Sequence, residues 1–174
     1  MRRQLRPTDV KRLNRTWRRN TGNRLGLIVE SVTGPFNVGS IFRSAAAFGV
    51  NEIWLAGNAT PPTNPKAGKT ALGTERLVTW HEAVPATEAV KAAREEGYTV
   101  LAIELTAEAR PLHRADLDRD VCLAFGHEDR GLSAPLLEAC DQVAFVPQLG
   151  RVGSLNVANA AAIAMYEVRR RRWT

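Results

Sequence analysis

The sequence predicts an α/β domain: a parallel sheet with helices on both faces. Two observations carry that reading. Strand-like and helix-like segments alternate along the chain, and the strands are near-continuous apolar runs rather than period-two alternations. A strand buried on both faces reads that way because neither face meets water. The chain has 174 residues, 44% of them hydrophobic, enough for one domain with a sizeable core.

The elements follow in order. Pro7-Thr8-Asp9 opens a capped basic helix, VKRLNRTWRRN, that ends near Asn20. RLGLIVE (24–30) is the first buried strand; SVTGPFNVGS reads as a loop, and IFRSAAAFG as a helix stopped by Gly49. NEIWLAG (51–57) is the second strand, and NATPPTNPKAGKTALGTE is a long excursion with at most a short helical turn. LVTW is a short strand, AVPATEAVKAAREEG a surface helix, and YTVLAIEL (98–105) a strong strand. A loop containing Pro111 leads to the strand RDVCLAFG (119–126), the short helix SAPLLEACD and the last strand, QVAFVP. The closing stretch runs through Gly150 and Gly153 into a helix, with Ser154 at the N-cap position. No repeat or linker divides the chain, so residues 1–24 are expected as a basic extension and 25–174 as the domain.

Charge is unevenly spread. Residues 1–24 carry nine Lys/Arg against one acid, Asp9, and Arg169 to Arg172 are four consecutive arginines. A net-acidic body with two basic ends points to a polyanion, most simply nucleic acid. The rival is a pair of solvated tails. Trp17, among the N-terminal arginines, either contacts nucleic acid or anchors its helix to the body.

Other classes are excluded. No apolar run approaches the ~20 residues that span a bilayer, and the N-terminus is too basic for a signal peptide. Cys122 and Cys140 form neither a metal spacing nor a disulfide framework, which reads as a reducing cytoplasm. His81, His113 and His127 lack ligand spacing, so no metal is expected. AGKT at 67–70 fails as a phosphate loop, because Thr63 stands where the leading glycine belongs. No G-x-G-x-x-G follows a strand.

Three loops remain, each beyond the carboxyl end of a strand, where ligands of such sheets lie. FNVGSIFR places Asn37 and Arg43 six apart; its plain reading is a turn and a helix with an exposed Arg. FGHEDRGLS puts Glu128 directly after a buried strand, with a salt bridge to Arg130 as the rival. The third, VPQLGRVGSLNV, joins a strand to a helix start through glycines, which suits either a small polar ligand or an ordinary connection.

In order and spacing, N-V-G-S-I-x-R, F-G-x-E-x-x-G-L and V-P-x-x-G-x-x-x-S-L-N-V resemble the three motifs of the SpoU (TrmH-like) RNA 2′-O-ribose methyltransferases, of the SPOUT superfamily. The likeness runs from about Leu27 to Arg170. It implies a C-terminal trefoil knot that binds S-adenosylmethionine, and a homodimer formed largely through the last helix. Periodicity could not have indicated a knot, since unknotted connections are the rule.

By motif position the resemblance implies catalytic roles for Asn37, Arg43, Glu128, Ser154 and Asn156, with Arg43 at the reacting ribose. Leu105, Thr106, Gly126, Val146, Pro147, Leu149, Ser154 and Leu155 would bind the cofactor. RNA would meet Arg2, Arg3, Lys11, Arg12, Arg15, Arg18 and Arg19, together with Arg43. Two departures stand out. His127 occupies a position where many relatives carry Asn, and no separate RNA-binding domain is expected within these 174 residues, which leaves the basic ends and residues 58–75 for that work. The expectation is a cytoplasmic RNA 2′-O-methyltransferase, with tRNA favoured over rRNA. A base-methylating SPOUT enzyme fits the S-L-N motif less well. A non-catalytic RNA-binding relative is disfavoured by the intact Asn37, Arg43 and Asn156.

Overall fold

A computed structural model describes residues 3–83, 85–171 and 173. Among these residues seven strands form one sheet: β1 (Leu25–Glu30), β2 (Glu52–Ala56), β3 (Thr79–Ala83), β4 (Thr99–Ile103), β5 (Arg110–Pro111), β6 (Val121–Phe125) and β7 (Gln142–Phe145). Their order is β3-β2-β1-β6-β4-β7-β5, and every pairing is parallel. The apolar runs are the central strands. All of β1 and all of β6 are buried, as covering on both faces requires.

Among the described residues six α-helices and two short 3-10 helices complete the fold, the α-helices being α1 (Pro7–Arg19), α2 (Pro35–Phe48), α3 (Pro65–Ala71), α4 (Ala86–Glu95), α5 (Ala134–Ala139) and α6 (Val157–Arg170). One core layer joins α2 and α6 to the sheet through Ile41, Phe42, Ala161, Ala164 and Met165. The layer on the other face joins α4 and α5 through Val90, Ala93 and Leu136. The helix α1 buries none of its residues. It leans on the body through Trp17, whose ring packs 5.3 Å from that of Trp173. Trp17 therefore acts as an anchor here.

Several boundaries differ from the sequence reading. The helix α2 begins at Pro35, not after Ser40, because proline suits the first helical position and Gly34 supplies the extended residue before it. Asn37 and Arg43 therefore share one helix, which ends as expected at Gly49 with φ of 64°. The excursion after β2 contains the two-turn helix α3, whose start is capped when Asn64 accepts from the Lys66 N–H. Ser154 does not cap α6. The cap is Asn156, whose Oδ1 accepts from the N–H groups of Ala158 and Asn159 at 3.0 and 3.2 Å.

One of the C-terminal arginines, Arg169, is corrected as part of a polyanion site. Arg169 is 3% exposed. It donates to the carbonyls of Phe48, Asn23 and Gly49 at 2.8, 2.7 and 2.6 Å. Two of these carbonyls lie at the end of α2, where a cation is favoured and backbone acceptors lack helical partners. Burial pulls its pKa below the usual arginine value. Arg170 and Arg171 pair with Glu167, and Arg171 also donates to the Ala115 carbonyl. Arg172, like Arg2, lies outside the described residues.

Candidate active site at the carboxyl edge of the sheet

The three motif loops meet. Asn156, at the start of α6, donates through Nδ2 to Asn37 Oδ1 at 2.9 Å. Asn37, in the first turn of α2, donates through Nδ2 to Glu128 Oε1 at 3.0 Å. That same oxygen accepts the Gly34 N–H at 3.1 Å. The result is a directed relay, Asn156 to Asn37 to Glu128, ending on a carboxylate. Burial alone would push the Glu128 carboxyl up. The hydrogen bonds from Asn37, from its own backbone and from Gly34 outweigh it and hold the group below its ordinary value. Glu128 thus ties the motif-two loop to the start of α2, and Arg130 is not its partner.

The loop after β6 is rigidly built. His127 and Gly131 exchange both backbone hydrogen bonds, at 3.0 and 2.9 Å. Gly126 is required by packing, since a Cβ there would collide with the Gly131 carbonyl carbon. Two carboxylates not anticipated from sequence hold the loop from below. Glu104, just beyond β4, accepts the Leu132 N–H at 3.0 Å. Glu30, closing β1, accepts the Ser133 N–H at 2.7 Å and its hydroxyl at 2.5 Å. The available signal was an acid ending an otherwise apolar strand, in LIVE and LAIE.

Beside the relay, a cavity of about 370 Å³ opens over the ends of β4 and β7. Leu105, Val146, Ser154 and Leu155 line it, as does Glu104. Pro147, Leu149, Thr106 and Gly126 do not. Gly126 packs against Gly131, Leu149 projects fully into solvent, and the Thr106 hydroxyl is buried without a partner among the described residues. Ser154 belongs to this cavity wall and makes no hydrogen bond to the relay. Arg43 is exposed and unpaired among the described residues, two turns along α2 from Phe36. Arg3, Lys11, Arg12, Arg15, Arg18 and Arg19 are exposed and make no ion pair among the described residues.

Among the described residues no cluster of His, Cys, Asp or Glu could hold a metal, and no helix is long and apolar enough to cross a membrane.

An all-parallel α/β domain whose polar relay and cavity sit over the carboxyl edge defines a ligand-binding class of fold. The chain belongs to the SpoU rRNA methylase family, whose model matches residues 24–166. It is 36% identical over 150 residues to an uncharacterised tRNA/rRNA methyltransferase of Synechocystis, covering 86% of this chain and 54% of that protein. It is 33% identical over 150 residues to the tRNA (guanosine(18)-2′-O)-methyltransferase of Thermus thermophilus, covering 85% and 75%. The crystal structure of an AdoMet-bound rRNA methyltransferase from Sinorhizobium meliloti superposes with a TM-score of 0.80 at 30% identity, over 87% of this chain and 57% of that one. The chain thus spans a little over half the length of the first and third of these proteins.

Proposed function

We propose that the protein is an S-adenosylmethionine-dependent RNA 2′-O-ribose methyltransferase. The observation that carries this reading is the Asn156–Asn37–Glu128 relay, which joins all three motifs beside a cavity. The cavity suits the cofactor: Ile103, Phe145 and Val146 offer apolar wall to a purine, and Gln148 and Ser154 offer polar contacts. Leu105 and Val152, both exposed, stand at its edge, where an apolar ring would cover them. S-adenosylmethionine would supply its sulfonium methyl group to the ribose 2′-oxygen, the sulfur–methyl bond breaking to leave a neutral thioether as the hydroxyl proton passes to solvent. The Arg43 guanidinium stabilises the developing alkoxide or orients a phosphate. The relay fixes the loops that bring the two reactants together, and orientation of this kind removes much of such a barrier.

The exposed cations of α1 supply the electrostatic part of RNA binding, with residues 1–24 acting as an extension of the domain 25–174. The favoured substrate is tRNA, in keeping with the tRNA enzyme named for the Thermus relative. The protein works in the cytoplasm as a homodimer. The small residues of α6, Ala158, Ala161 and Ala164, are buried within the chain, so the partner would meet Ile163 and Tyr166, which are exposed. The trefoil knot belongs to this reading as well. The test is methyl transfer from labelled cofactor to total tRNA and to rRNA, with 2′-O-methyl positions mapped in RNA from cells lacking the protein. Label on bases rather than ribose, or no transfer to either RNA, would reject it.

A further inference from the structure

We propose that a second cavity at the same edge is the subsite for a nucleobase of the RNA, selecting a base that presents a carbonyl beside a ring N–H, the edge shared by guanine and uracil. The inference rests on the RNA-methyltransferase reading. The cavity holds about 300 Å³ and lies over β1 and the loop after β6, whereas the first lies over β4 and β7. In the sheet order β6 stands between them, and the relay ends on Glu128 just beyond that strand. The loop after β6 therefore serves both sites: it carries Glu128 for the relay and gives His127, Arg130 and Gly131 to the second cavity.

The second cavity is lined by groups that the mechanism does not use. Ser31 has φ of 55°, an unfavourable conformation for a residue with a Cβ. Its hydroxyl fits against Gly57, where a Cβ would collide with it, and accepts the Asn58 N–H at 3.3 Å. That arrangement fixes Asn58 at the rim. Neither the Asn58 carboxamide nor the Arg130 guanidinium has a partner among the described residues. His127 Nδ1 accepts the Asp129 N–H at 3.1 Å, which leaves Nε2 as the protonated nitrogen of the neutral ring. The rim is thus rich in donors.

The wall beneath is the opposite. Glu30 is 5% exposed and lines the cavity. Each of its carboxylate oxygens takes one hydrogen bond from Ser133 and keeps a lone pair. A buried anion there opposes a phosphate and favours a neutral group with an N–H. Guanine and uracil set a carbonyl, for the donors, beside a ring N–H, for the carboxylate. Adenine and cytosine present an amino group beside a ring acceptor, which sets donor against donor and acceptor against acceptor.

The experiment follows amide resonances of the labelled protein, saturated with S-adenosylhomocysteine so that the first cavity is filled, on addition of each nucleoside 5′-monophosphate at millimolar concentration. Guanosine and uridine monophosphates should shift the Asn58 side-chain amide and the Gly57 and Gly131 N–H groups. Asn58→Ala and Arg130→Gln should each weaken that binding by roughly tenfold. Four nucleotides acting alike, shifts confined to α1, no shifts, or variants that bind as well as the parent would each overturn the subsite. A parent protein that shows these shifts but transfers no methyl group to any RNA overturns the methyltransferase reading and leaves the subsite standing. Transfer without the shifts overturns the subsite alone.

Discussion

Asn37 accepts from Asn156 through its oxygen and donates to Glu128 through its nitrogen, at 2.9 and 3.0 Å. Its carboxamide is thus held in one orientation only, by two groups that lie 119 and 91 positions away in sequence. Asn37→Asp keeps the shape and removes the donor, setting two carboxylates against each other. The expected cost is about 1–3 kcal/mol, or roughly 2–12 °C in Tm by calorimetry for a chain of this size. Pairing it with Glu128→Gln restores a donor across the gap and should recover much of the loss. Strictly additive losses in the double variant would mean that the two side chains are not coupled.

The same carboxylate sets a pH dependence. Hydrogen bonds hold the Glu128 pKa below its ordinary value, so the group binds its proton more readily in the unfolded chain than in the folded one. Its contribution is complete above the unfolded value, near pH 4.5, and is lost as pH falls through the lower folded value. Glu128→Gln should therefore be less stable than the parent at neutral pH and lose less stability on acidification. Parallel acid-unfolding curves for the two proteins would contradict the linkage.

Much of the architecture was legible because burial on both faces leaves continuous apolar strands, as in LGLIVE and VCLAF. The carboxyl-edge location of Asn37, Glu128 and Asn156 followed from that. Their mutual hydrogen bonds did not, because a bond across most of the chain has no local signature. The start of α2 was hidden for another reason: Gly34 and Pro35 read as turn residues, although they also suit a helix entry. The role of Arg169 was masked by its neighbours, since four arginines in a row resemble a solvated patch whichever one turns inward.

Arg43 separates chemistry from structure. Its side chain is exposed and unpaired among the described residues, so Arg43→Ala should change stability by no more than about 0.5 kcal/mol. Single-turnover methyl transfer should fall on the order of 100-fold, about 2.7 kcal/mol of barrier. Cofactor binding on the same preparation should persist, because the residue lies outside the cavity at β4 and β7. Arg43→Lys should recover little, lacking the planar fork. Near-normal turnover in the alanine variant would remove Arg43 from the mechanism.

The basic helix α1 makes a separable contribution. It buries none of its residues, so deleting residues 1–20 should leave the domain folded and cofactor affinity intact. The deletion removes eight cations, and a protein that neutralises fewer phosphates releases fewer counterions on binding. The slope of log affinity against log salt for tRNA should flatten accordingly. An unchanged slope would make α1 a solvated arm.

Arg169 belongs to the scaffold rather than to RNA. Its guanidinium donates to the carbonyls of Phe48, Asn23 and Gly49, joining the end of α2, the chain before β1 and the last turn of α6. Methionine would fill similar volume and offer no donor, leaving these carbonyls without the guanidinium. Arg169→Met should cost about 2–4 kcal/mol, roughly 4–16 °C in Tm. Arg169→Lys should recover only part of this, since one ammonium cannot reproduce the fork that reaches carbonyls on separate elements. The salt dependence of RNA binding should stay unchanged in whatever fraction remains folded, because a side chain 3% exposed has no access to phosphate. Calorimetry and a salt titration on one preparation decide between the roles. A stable variant with a flattened salt slope would return Arg169 to the RNA-binding surface, whereas a destabilised one with the parent slope fixes it as the tie between α2 and α6.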